Sequence, residues 1–139
     1  MSKINFGRVL LGGIVAGLVI DISEFILNTA VVGADMNAAL TRMNLPPIGN
    51  QAAAIFVVLG FIVGILAIWL YAAIRARYGP GPKTALRSGA TVWFFAYLYS
   101  GIGMMCMGMF PVRVMVIGLV WGLVEILVAS EVGAYLYKE

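Results

Sequence analysis

The sequence predicts an all-α integral membrane protein, a single four-helix bundle over residues 1–139. Two observations carry that reading. Hydrophobic residues make up 63% of the chain and charged residues only 11%, with a mean hydropathy of +1.02. Soluble domains carry about a quarter charged residues, and a water-exposed domain of this length has too little interior to hide so much apolar surface. Second, the apolar residues fall into four runs of roughly the ~20 residues that a membrane-crossing helix needs. The runs cover about 9–29, 52–74, 88–110 and 114–137. They fill the chain and leave no room for a soluble domain.

The first run has the flanks of a secretory signal, with Lys3 and Arg8 ahead of an apolar stretch and Gly33-Ala34 behind it. It outlasts the usual apolar region of such signals and carries two acids, so a retained helix is expected. Basic residues set the orientation. With both termini inside, Lys3, Arg8, Arg75, Arg77, Lys83, Arg87 and Lys138 are cytoplasmic, and only Arg42 and Arg113 face outward. Cytoplasmic loops carry the excess of Lys and Arg, so an N-in, C-in arrangement follows. Trp69, Tyr71, Tyr78, Trp93, Tyr135 and Tyr137 fall toward the inner ends, as an interfacial aromatic belt requires. A bacterial cytoplasmic (inner) membrane is the expected location.

The connections follow from local chemistry. In the first, VVGADMNAALTRMNLPPIGN, Asp35 is expected to cap a short helix over about 35–44, before Pro46-Pro47. Met36, Leu40 and Met43 fall on one side of it and Asn37, Thr41 and Asn44 on the other, which suits a helix lying in the outer interface. A lid over the outer mouth of the bundle is the sharper alternative. The second connection, RARYGPGPKTALR, is stiff and basic, fitting a cytoplasmic loop beside anionic lipid. The third is short and turns at Phe110-Pro111, so the last two helices are expected to pack as antiparallel neighbours.

Small residues mark the packing faces. Gly13, Gly17, Gly60, Gly64, Gly118 and Gly122 form three Gly-x-x-x-Gly pairs, which let helix backbones approach in lipid. The segments RVLLGGIVAGLV and RVMVIGLVWGLV echo one another in the first and fourth helices. Gly13, Gly17, Asp21, Glu24 and Asn28 share a stripe about 80° wide on the first helix. Glu125 stands at a similar depth on the fourth.

Acids inside a bilayer need a proton, a bound cation, hydrogen-bond donors or a partner's basic group. Three readings of Asp21, Glu24, Asn28 and Glu125 follow. In one, the neutral acids bond across the interface of the first and fourth helices. In another they form a proton or cation path, and in the third they contact another subunit. Glu131 is expected as a surface partner of Arg87 or Arg75.

Chemistry of other kinds finds little purchase. The chain has no His, which excludes His-ligated haem, chlorophyll or zinc and a His-based acid–base centre. Its single Cys forbids an intrachain disulfide. Met105, Cys106 and Met109 could converge as soft ligands for Cu(I), but Met is also an ordinary filler of apolar gaps, and packing is the expected role. No cofactor, nucleic-acid partner or catalytic constellation is expected.

LGGIV in the first helix and AYLYSGIG at 96–103 resemble stretches of the small multidrug resistance transporters, four-helix proteins with an essential membrane Glu in the first helix. The resemblance covers about a tenth of the chain. Aligning the glycines places Leu18 where that Glu stands, with Asp21 and Glu24 further on. The long first loop and the acid in the fourth helix also depart from the pattern, so membership is not assigned. The expected function is that of a non-enzymatic membrane protein acting through helix packing, as an accessory subunit or homo-oligomer. Its partners are then lipid and other membrane subunits or further copies of itself. The alternative is a small proton- or cation-coupled transporter or channel.

Overall fold

The computed structural model describes residues 3–138 and is all-helical, with no strand among them. Its elements are α1 (Phe6–Ile26) with a π-helical extension to Val31, α2 (Gly33–Arg42), α3 (Asn50–Tyr78), α4 (Pro82–Trp93), a second π segment (Phe94–Leu98), α5 (Tyr99–Cys106) and α6 (Val112–Leu136). Four helical stretches are long and apolar enough to cross a membrane: α1 with its extension, α3, α4 through α5, and α6. The protein is an integral membrane protein by that measure.

Each helix differs from its apolar run at the ends, for local reasons. α1 starts earlier because Asn5 caps it, its side-chain oxygen accepting from the Arg8 amide at 3.2 Å. α3 runs on to Tyr78, where Gly79 at φ 81° ends it. The third helix begins at Pro82, a residue suited to the first helical turn, so the polar Lys83–Arg87 stretch is helical as well. It ends at Cys106, and Gly108 at φ 68° follows. Asp35 sits in the first turn of α2 and does not cap it. The N-cap is Val32, with no side-chain bond, because α2 follows almost directly on the π extension of α1.

α1 packs against α3 on one side and α6 on the other, and α4 completes the bundle against α3 and α6. The α1–α3 contact is backbone on backbone. A β-carbon at Gly13 would meet Ile65 Cα at 2.6 Å, and one at Gly17 would meet Phe61 Cα at 2.7 Å. From the other side, one at Gly64 would strike the Gly17 amide nitrogen and the Gly13 carbonyl. Gly12 and Gly133 make a similar approach between α1 and α6, each occupying the space a side chain on the other would need. Gly118 lies in open space, facing none of its neighbours in the fold.

The core occupies one half of the bundle. Val9, Ala16, Ile68, Ala85, Ile126 and Ala129 belong to a buried cluster toward the end that holds both termini. Tyr71 and Tyr137 fix that end, packed edge to face with ring centres 5.9 Å apart. The Tyr137 hydroxyl accepts from the Asn5 amide and the Tyr71 hydroxyl from the Gly81 amide, both at 3.2 Å. Arg75 lies over the Tyr137 ring and Arg87 over Tyr78. Ser88 donates to the Ala67 carbonyl at 2.5 Å, tying α4 to α3.

The opposite half is looser. Residues 51–59 of α3 are exposed almost throughout, as is most of α5. There a smaller cluster of Leu27, Val32 and Val114, with Met36 against it, seats α2 on the far ends of α1 and α6. Arg42 reaches across and donates to the Met109 carbonyl at 3.4 Å. The basic residues divide between the two ends as the sequence predicts, since Asn5, Tyr71, Gly81 and Tyr137 meet at one end and Arg42 lies at the other. Trp93 departs from the expected belt. The early start of α4 carries it toward mid-helix, where its indole donates to the Leu119 carbonyl at 3.0 Å.

Gly17→Leu and Gly64→Leu should each lower the unfolding midpoint in mild detergent. The expected loss is at least about 3 kcal/mol, the upper end of ordinary overpacking, because the clash is with backbone. Gly118→Leu and Ile62→Leu should stay within about 0.5 kcal/mol of the parent, as surface substitutions do. Thermal unfolding followed by circular dichroism reads all four.

Candidate functional site

The polar residues of the first helix divide between two neighbours. Asp21 faces α3, and its carboxylate fills the place where a β-carbon on Gly60 would go. Gly60 therefore serves the acid and gives it room. Asp21 therefore does not reach the fourth helix, as the first of the three readings would have it, because one stripe on α1 is wide enough to meet α3 with one edge and the bundle interior with the other. Its Oδ2 is buried and has no hydrogen-bond partner among the described residues.

Glu24 and Glu125 do come together across the α1–α6 boundary. Ser23 and Glu24 of α1 both approach the Glu125 carboxyl. The third helix supplies the hydrogen bond: the Tyr97 hydroxyl donates to Glu125 Oε1 at 3.2 Å. Asn28 donates to Glu24 Oε2 at 2.9 Å and to the Glu24 carbonyl at 2.8 Å, so that side chain is held within its own helix. Trp121 completes the wall, its indole donating to the Ser23 hydroxyl at 2.9 Å. Glu125 is only 4% exposed, yet its Oε2 has no hydrogen-bond partner among the described residues.

Two local features put Tyr97 in place. It lies in the π segment Phe94–Leu98, where Tyr99 donates to the Phe94 carbonyl and the widened turn re-aims the side chains around it. Gly122 then accepts the ring: a β-carbon there would sit 2.6 Å from Tyr97 Cδ1. Gly122 thus makes room for a side chain from the third helix. Tyr99, another donor in the sequence, is 74% exposed, and Ser100 donates to the Ala96 carbonyl of its own helix.

Glu125 also borders a groove of about 640 Å³ on the outside of the bundle. Val19 and Ser23 form its α1 side, and Val120, Val124 and Val128 its α6 side. Glu131 lies further along α6 with a buried Oε1 that has no hydrogen-bond partner among the described residues, while Arg87, one of its two expected partners, stacks on Tyr78.

The methionine-rich stretch does not make a single helical face. α5 ends at Cys106, so Met109 lies beyond the helix and past the positive-φ Gly108, and the 100° spacing that aligned Met105, Cys106 and Met109 no longer applies. Cys106 is exposed. Among the described residues no group of three or more His, Cys, Asp or Glu is placed to hold a metal.

These features define an all-helical membrane protein in which Glu24 approaches Glu125 and Glu125 borders an apolar groove. No family model matches the chain, and neither a curated protein nor a solved structure does. The parallel with the small multidrug resistance transporters stops at Leu18, which is half exposed on the outside of α1.

Tyr97→Phe should destabilise the bundle by about 1–3 kcal/mol, because it removes the hydrogen-bond donor to Glu125. In Glu125→Gln the same change should cost less, since the amide side chain can turn and find other partners. A double-mutant cycle of unfolding midpoints gives the coupling, which is expected above about 0.5 kcal/mol.

Proposed function

We propose that this chain is a small non-enzymatic integral membrane protein that works through helix packing inside the bilayer, as an accessory subunit of a larger membrane complex. The observation that carries this reading is Glu125: a nearly fully buried carboxyl beside a lipid-facing groove, with one oxygen left without a hydrogen-bond partner among the described residues. An acid buried in this way costs stability, even with Ser23 and Glu24 approaching it, and a further chain that brings a donor or a cation to the free oxygen offsets that cost. The alternative, a proton- or cation-coupled transporter or channel using Asp21, Glu24 and Glu125, has less behind it. Toward the basic end the bundle closes on Ala16, Ile68, Ala129 and Ile126, all fully buried, and aliphatic packing of that kind offers an ion no ligands.

In this reading both termini are cytoplasmic, because seven of the nine cations lie at their end of the bundle, and the host is a bacterial inner membrane. α2 then lies in the outer interface, with Ala39 against the protein and Asn37 and Thr41 toward water.

Reporter tags at either terminus, or in the 79–81 turn, should be cytoplasmic, and a tag at Asn37 should be external. An external C-terminus would reverse the assignment. Native mass measurement in mild detergent should find the wild-type chain in an assembly heavier than its 14.9 kDa monomer. A monomer throughout would remove the subunit reading, and an assembly of identical copies alone would make it a homo-oligomer.

A further inference from the structure

The groove between α1 and α6 lies on the outside of the bundle, and its lining runs from Val116 to Val128 along α6. On α6 it is walled by Val116, Val120, Val124 and Val128, spaced every fourth residue. That spacing builds a ridge of the kind that packs against a neighbouring helix, and it extends about 18 Å at 1.5 Å per residue. Such a shape suits a rod lying parallel to α6 better than a compact molecule. Beside the ridge stands Glu125, thirteen residues from the start of α6 and eleven from its end, and therefore near mid-membrane.

No cation of this chain reaches that depth. The nearest on the same helix is Arg113, twelve residues away, or about 18 Å. Arg8 and Arg113 lie at helix ends, and Arg75 and Arg87 stack on aromatic rings at the basic end. A second copy therefore brings no positive charge to Glu125. Glu24, which approaches the same carboxyl, brings a second acid and no cation. The complement of this site is an apolar helix with a cation halfway along it.

We propose that this groove receives a membrane-spanning helix of a different protein, one that carries a lysine or arginine near its middle and places it on Glu125. The proposal rests on the subunit reading above and names the chemistry of the partner.

The test uses the 139-residue chain in phosphatidylcholine bilayers, with labelled single-span leucine–alanine helices as probes. The probes are identical except for a central Lys, Leu or Glu, and association is read by energy transfer. The Lys helix should bind on the order of tenfold more tightly than the Leu helix, and the Glu helix more weakly than either. In Glu125→Gln the Lys preference should vanish while the Leu helix is unaffected. Val124→Trp, which fills the groove without touching the acid, should weaken all three. Equal binding of the Lys and Leu helices to wild type overturns the proposal without needing any variant to fold. So does a Lys preference that survives Glu125→Gln, or no binding of any probe, in which case the groove holds lipid. If wild type ignores the central Lys yet purifies natively with another protein, only this inference falls. A monomeric native protein that selects the Lys helix would instead overturn the subunit reading and leave the recognition chemistry standing.

Discussion

The backbone contact between α1 and α3 is the constraint on which the rest of the bundle depends. In lipid the hydrophobic effect does not draw apolar helices together, so close approach and dispersion must hold them. Gly13 and Gly17 on one helix and Gly64 on the other remove the side chains that would separate the two axes. The same approach brings Asp21 against α3, where Gly60 leaves it space. On the other flank of α1, the Gly12–Gly133 contact sets α6 close enough for Ser23 and Glu24 to approach Glu125. The acids are thus placed by glycines several residues away from them.

This arrangement separates two tasks along the membrane normal. One half of the bundle is closed by small and branched aliphatic side chains and tied at its end by Tyr71, Tyr137 and the Ser88 bond to α3. The other half keeps polar side chains, exposed helix faces and two π segments. Lengthened turns of this kind are less regular than α-helix and cost stability, and they recur where a side chain must be re-aimed. Tyr97 is such a side chain. The tight half supplies the stability that permits the loose half its irregularity.

Much of this architecture was legible in the sequence, because membrane helices announce themselves by composition and length. The four runs, the short helix in the first loop and the division of charge are all visible in hydropathy and in the positions of Lys and Arg. Helix ends were less so: Asn5 as a cap and the polar first turn after Pro82 lie outside the apolar runs. Partner choice was the main gap. Gly-x-x-x-Gly reports that a face packs closely but carries no address, so Gly122 could not be matched to Tyr97, or Asp21 to Gly60, by spacing alone. Gly12 and Gly133 belong to none of the Gly-x-x-x-Gly pairs, and nothing in their spacing marks their contact. The π segments have no composition of their own. Any tyrosine is a possible donor, but the widened turn that directs Tyr97 toward Glu125 leaves no mark in the sequence.

The hydrogen bond from the Asn5 amide to Tyr137 joins residues 132 positions apart. With the Gly12–Gly133 contact, it makes the first helix depend on the last. During synthesis α1 and α3 can pair as soon as both have left the ribosome, but Glu24 then faces a gap until α6 enters the membrane more than a hundred residues after α1 began. For that interval the half-built protein presents an acid to lipid or to whatever insertion machinery holds it. Pairings so distant in the chain form late. The order of translation therefore leaves a window in which the nascent chain, and not only the finished bundle, offers a carboxyl inside the bilayer.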